Sequence, residues 1–185
     1  MLTANWLQVM ALMGMSSYLA AYLMQSYRMT AGETALPLTL AGLGVVTGSL
    51  LGGRMASHTH RLAVVALSFA AGGLVAALVF TLHLSPWLTV GLAFGVAALL
   101  TLSWPVTAVL LMAAAGQSRA TATGMFAVSN QLGMMGGASL GGLMLSLGHF
   151  PCVGAFCMAT AVTAAMIVQY KVREAGERRR HVAVS

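Results

Sequence analysis

Apolar positions run along this chain in long blocks, not in the short alternations or narrow stripes of a water-soluble fold. Uncharged stretches cover 1–27, 34–53, 62–82, 84–118 and 120–170, and each matches or exceeds the roughly 20 apolar residues that cross a bilayer. Short polar breaks divide the blocks into six helices, expected over 3–27, 33–53, 62–82, 87–115, 121–147 and 152–170. A basic tail, 171–185, follows and reads as unstructured. The pattern therefore predicts an all-α integral membrane protein built as one six-transmembrane-helix bundle.

The breaks carry their own chemistry. Thr30 and Glu33 have the spacing of a capping box at the start of the second helix. Arg54, His58, His60 and Arg61 would be costly in hydrocarbon, which makes 54–61 a loop. Pro86 suits a helix start. Gln117, Ser118 and Arg119 make the next break, and Gly148, His149, Phe150 and Pro151 a tight turn. The first block is not preceded by Lys or Arg and continues to Tyr27, so it reads as a span and not as a signal peptide.

Composition sharpens this picture. Hydrophobic residues make up 59% of the chain and charged residues 6%, against about 25% charged in soluble proteins. The formal charge of +6 raises nucleic acid as a partner, but the basic residues sit between and after apolar blocks and form no continuous face. They report topology instead. Six crossings put Arg54, Arg61, Arg119, Lys171, Arg173, Arg178, Arg179 and Arg180 on the side of the termini and only Arg28 opposite. Basic residues favour the cytoplasm, so both termini are expected there, in a multi-pass protein of the cell (inner) membrane.

Candidate chemistry lies on three helices. On the first, Gln8, Tyr18, Tyr22 and Gln25 share an arc of about 100°, which reads either as the wall of a substrate cavity or as interhelical packing. On the fourth, Pro105 lies inside the span, lacks a backbone N–H and crowds the Thr101 carbonyl, so a kink and a hinge are expected, and Trp104 beside it reads as a substrate-cavity candidate or as a space-filler. On the fifth, Asn130 shares a face with Gly133, Gly137 and Gly141 and either bonds across a helix contact or faces a cavity, while Gln131 points about 100° away and is a second cavity candidate. Gly44, Gly48 and Gly52 form a second close-packing stripe on helix two.

Other chemistry finds no support. No Asp, Glu, Lys or Arg lies in the interior of an expected span, Glu33 standing at a helix end, so no proton carrier is evident there. His58, His60, His83, His149 and His181 all fall in loops or tail, and Cys152 and Cys157 have neither a redox nor a zinc spacing. Nothing pairs a nucleophile with a base, so catalytic residues, metals and cofactors are not expected.

Two segments resemble a known family. YRMTAGETALPLTLAGLGVVTGSLLGGRMASHTHR is similar to the seventh and eighth helices of major facilitator superfamily transporters and the signature loop after them. TATGMFAVSNQLGMMGGASLGG resembles the eleventh helix of the drug-efflux and arabinose-efflux-permease-like branch. In the signature loop Gly53, Arg54 and Arg61 match, whereas Ser57 stands at the acidic place and His60 at the later glycine. The resemblance covers nearly the whole chain and implies the C-terminal six-helix half of a twelve-helix transporter. It also implies that the first, second, fourth and fifth helices line a central cavity and that the third and sixth face outward. The expected partners are the lipid bilayer, a missing N-terminal half or second bundle, and a small-molecule substrate exported in exchange for protons. A half-size protein that pairs with another bundle, and a non-transporting membrane subunit, are the alternatives.

Overall fold

A computed structural model describes residues 2–58, 61–82, 85–116 and 118–184, with the side-chain surroundings of residues 114, 148 and 171–184 outside the description. His60, His83, Gln117 and the tail charges therefore lie outside the described residues or side chains. The described elements are helical: α1 (Leu2–Tyr27), α2 (Ala35–Met55), α3 (Arg61–Thr81), α4 (Pro86–Thr101), α5 (Ser103–Ala115) and α6 (Arg119–Val184). Among the described residues, five segments are long and apolar enough to cross a membrane: Leu2–Tyr27, Ala35–Met55, Arg61–Thr81, Pro86–Ala113 and His149–Tyr170.

α6 is a hydrogen-bonded run, yet it is not one straight rod. His149 within it has φ 68°, a left-handed conformation that reverses helix direction. A Cβ added to Gly14 would lie 3.2 Å from Cys157 Sγ, and one added to Gly137 would lie 3.0 Å from the Gly14 nitrogen. On a straight helix residues 137 and 157 would stand about 30 Å apart, so both meet Gly14 only if the run doubles back. The expected helices 121–147 and 152–170 are thus two limbs joined without a loop. Pro151 costs nothing there, because its missing N–H falls in the first turn of the second limb.

Three further boundaries differ from the sequence reading. The expected fourth helix carries a single turn residue, Leu102, between α4 and α5, where Pro105 cannot donate to the Thr101 carbonyl. Leu102 keeps helical dihedrals (φ −53°, ψ −32°) and its N–H stays on the Ala98 carbonyl, so Pro86–Ala113 remains one apolar span. The expected loop 54–61 is shorter: Arg54 closes the last turn of α2 and Arg61 opens α3. A cation suits a helix C-terminus, and Arg61 extends its guanidinium to the Ala56 carbonyl at 3.0 Å. The tail does not leave the helix, since the backbone of α6 stays helical to Val184, in a segment rich in the helix formers Ala, Glu and Arg.

The Thr30–Glu33 box does form, but one turn early. Glu33 accepts from the Thr30 backbone N–H at 2.7 Å and from its hydroxyl at 2.8 Å, closing the turn that precedes α2. Thr34 then occupies the N-cap position of that helix.

The core gathers around α1. Leu12, Met15, Leu19 and Leu23 from α1 pack with Phe69 and Phe80 of α3, Leu100 of α4 and Val153 and Cys157 of the second α6 limb. Glycines set the close approaches. Gly44, Gly48 and Gly52 bring α2 against the Phe94, Ala98 and Leu102 carbonyls, and Gly133 and Gly137 bring the first α6 limb against the Trp6 and Met10 carbonyls of α1. Close backbone contact of this kind supplies dispersion energy where lipid removes the hydrophobic drive between helices.

Candidate functional site

Polar side chains inside a bilayer need partners from neighbouring helices, and the bundle supplies them mainly in one layer near the starts of α1 and α6. Asn5, wholly buried, donates its Nδ2 to Asn130 Oδ1 at 2.7 Å and to Ser129 Oγ at 3.4 Å. Ser129 passes its own proton to the Leu2 carbonyl at 3.1 Å. One α-helical turn further along α1, Gln8 has no exposed surface and donates its Nε2 to the Leu100 carbonyl at 2.6 Å. The hydroxyl of Ser103 reaches the same carbonyl at 3.0 Å.

This layer sits beside the α4–α5 break. Thr101 donates to the Ala97 carbonyl at 2.6 Å and lies 3.3 Å from the Val45 carbonyl of α2. Pro105 lies just beyond, in α5. Among the described residues, three buried side-chain polar atoms lack a protein partner: Asn5 Oδ1, Gln8 Oε1 and Trp104 Nε1. All three belong to residues of this layer or next to it. Two of these atoms are amide oxygens that can accept a hydrogen bond and one is an indole N–H that can donate one.

The predicted α1 face does not converge on one cavity. Gln8 turns to the helix break, Tyr18 donates to the Ala138 carbonyl of the first α6 limb, and Gln25 is exposed. Tyr22 belongs to an aromatic cluster at the opposite end, with ring centroids 5.3 Å from Phe80 and 5.1 Å from Phe150. Tyr27 joins it at 5.8 Å from Tyr22 and bonds to Thr89 at 2.8 Å. These rings hold the His149 reversal against α1 and α3. Asn130 is half-buried and bonds across the α1–α6 contact, while its neighbour Gln131 is exposed. Trp104 is half-buried against the core.

Concave surface lies elsewhere. A groove of about 600 Å³ between the first turns of α1 and α6 is lined by Leu2, Thr3, Trp6, Met125, Val128, Ser129 and Leu132 among others. A smaller cleft of about 130 Å³ separates Met15, Ser16 and Leu19 of α1 from Leu38, Ala41 and Val45 of α2. The signature residues Gly53 and Arg54 line a third depression with Leu50 and Leu51, on the outer side of α2. None of the six predicted cavity residues lines these three depressions.

Sequence reasoning missed Asn5, Ser103 and Ser129. The signal for Asn5 was present: it stands three residues before Gln8, which places both amides on one side of α1. Ser129 carried none, because a serine in an apolar helix more often bonds its own backbone, as Ser68 does to the Val64 carbonyl at 2.8 Å. Ser103 does the same toward Leu100 and joins the layer only because Gln8 reaches that carbonyl too.

No curated protein and no solved structure matched the chain. The family model of the Major Facilitator Superfamily, in contrast, matches residues 1–183. A multi-helix apolar bundle with glycine-mediated contacts, a neutral polar layer and a proline-broken span is thus accompanied by a family match over nearly its full length: the chain belongs to the Major Facilitator Superfamily.

Proposed function

We propose that this chain takes part in moving small molecules across a membrane as the C-terminal, six-helix half of a twelve-helix transporter. The family match over residues 1–183 carries the reading. Six crossings follow when the first α6 limb, 119–148, is counted with the five long apolar segments. Support comes from its surface, where Met125, Val128, Leu132, Met135, Leu143 and Leu147 are exposed, and no charged residue lies between Arg119 and Lys171.

An even number of crossings sets both termini on one side, and the positions of Arg54, Arg61 and Arg119 against Arg28 favour the cytoplasm for them. In the twelve-helix reading two bundles rock about a site near the midplane. The substrate is small and hydrophobic or amphipathic, matching the apolar lining of the α1–α6 groove. Export by proton exchange places the proton carrier on the other bundle, since the spans of this one hold no Asp or Glu. Gln131 and the groove residues Trp6 and Ser129 are the better cavity candidates, being exposed or adjacent to open volume.

Two experiments test this. Proteoliposomes holding the purified chain alone, under an imposed pH gradient, are expected to move no ethidium; sustained flux overturns the half-transporter reading. Affinity purification after crosslinking in native membranes is expected to recover a second six-helix bundle. A reproducible homodimer in that experiment favours the half-size alternative, and recovery as a monomer with lipid alone favours a non-transporting subunit.

A further inference from the structure

α4 passes into α5 through one turn residue, Leu102, whose backbone is helical and whose N–H bonds to the Ala98 carbonyl at 3.1 Å. Two features on adjacent residues disturb the helix at this turn. Pro105 removes the donor that the Thr101 carbonyl would take in a continuous helix. One residue earlier, the Leu100 carbonyl receives two side-chain donors, Gln8 Nε2 at 2.6 Å and Ser103 Oγ at 3.0 Å. Side-chain donors inserted at a helix carbonyl draw it off the helix axis and bend the helix there. Ser103 belongs to the broken span itself, but Gln8 reaches in from α1, 92 residues away in sequence.

Neighbouring helices seat on the same turn. Gly52 of α2 lies against the Leu102 carbonyl, and Gly72 of α3 against the Leu100 side chain. These contacts are apolar or steric and tolerate small rotations. The Gln8 bond is directional and buried away from water, where a hydrogen bond is hard to replace once broken.

We propose that Gln8 is a positioning residue: by donating to the Leu100 carbonyl it holds the α4–α5 span in its bent form and ties that bend to α1. Breaking the bond frees the Leu100 carbonyl to return to the helix axis, and the span straightens about Leu102. Motion of α1 and the angle of the broken span are thereby one coupled coordinate. The role does not require Gln8 to touch a transported molecule, and it does not depend on the half-transporter reading.

The test measures the bend directly in the full chain in lipid nanodiscs. Spin labels are attached at Leu88→Cys in α4 and Val109→Cys in α5, both exposed positions flanking the break, after Cys152→Ser and Cys157→Ala remove the native thiols. Gln8→Met keeps the side-chain length and removes the donor. It is expected to shift the bent-to-straight ratio by about fivefold toward the longer inter-label distance, the factor that loss of one ordinary hydrogen bond allows.

Pro105→Ala, which restores a backbone donor, is expected to lengthen the distance in the same direction. In that background Gln8→Met should add little, because both changes act on one bend. Where Gln8→Met loses helicity by circular dichroism, Gln8→Asn replaces it, its shorter amide falling short of Leu100. A folded Gln8 variant with the parental distance distribution overturns the proposal, and so do effects of Gln8→Met and Pro105→Ala that simply add.

Discussion

Asn5 and Asn130, 125 residues apart in sequence, meet through a 2.7 Å hydrogen bond that joins the first turns of α1 to the first limb of α6. The contact is directional where the glycine stripe beside it is only steric. Gly133 and Gly137 let the two backbones approach, and the amide pair selects the register at which they do.

That division of labour predicts a measurable coupling. In a double-mutant cycle on Asn5→Ala and Asn130→Ala, each single change should lower stability in detergent unfolding, with an interaction energy of about 0.6 kcal/mol, typical of such bonds between membrane helices. Strict additivity would show that the bond contributes nothing to α1–α6 association.

The glycines of α2 should respond with opposite signs. Gly48→Ala drives a methyl group into the Ala98 carbonyl and Thr101 hydroxyl of α4, and is expected to cost about 1–3 kcal/mol by overpacking. Gly53→Ala meets nothing within 4 Å and should be neutral or stabilising by up to about 1 kcal/mol, the gain in helix propensity over glycine. Thermal unfolding of the two variants in the same detergent distinguishes them, and equal destabilisation would contradict the α2–α4 packing.

The reversal at His149 makes a third case. His149 is exposed and holds φ 68°, a conformation costing an L-residue about 1–2 kcal/mol. His149→Gly should therefore raise stability, less a few tenths to about 1 kcal/mol for the added freedom of the unfolded chain. His149→Ile should lower it, since a β-branched side chain fits that conformation worst. Chemical denaturation midpoints read both, and a stabilising isoleucine would mean that the chain does not turn there as described.

Acid should loosen the turn before α2. The Thr30 backbone N–H, and after it the Thr30 hydroxyl, hold the Glu33 carboxyl below the ordinary glutamate range. A carboxyl lowered in the folded state adds stability above its unfolded pKa and loses it as pH falls through the folded value. Glu33 is fully exposed, so the effect is local. Protection of the Thr34 amide, which bonds to the Thr30 carbonyl at 3.2 Å, should decline on acidification and become pH-insensitive in Glu33→Gln.

Much of the fold was legible because the bilayer constrains it one segment at a time. The first, second and third helices lie within two residues of where charges and glycines placed their ends, since an apolar block must satisfy its backbone internally. The same logic misplaced Arg54 and Arg61, which are tolerated at helix ends because long basic side chains extend toward polar surroundings. Near Pro105 the expected disturbance amounts to one turn residue, Leu102, whose backbone stays helical. The site was less legible. Gln8, Tyr18 and Tyr22 share a helical arc, but α1 is surrounded by different partners along its length, so one stripe meets a carbonyl of α4, a limb of α6 and an aromatic cluster in turn.

From its residues alone this protein is committed to lipid, to helices, to glycine-mediated contacts and to a proline-disturbed fourth span, because each depends on composition and local spacing. Only the tertiary structure decides that Gln8 meets Leu100, that Asn5 meets Asn130 and that α6 doubles back at His149. The physical reason is range. Solvent preference acts residue by residue along the chain, whereas a hydrogen bond between neutral groups exists only when packing of two distant helices brings donor and acceptor within about 3 Å.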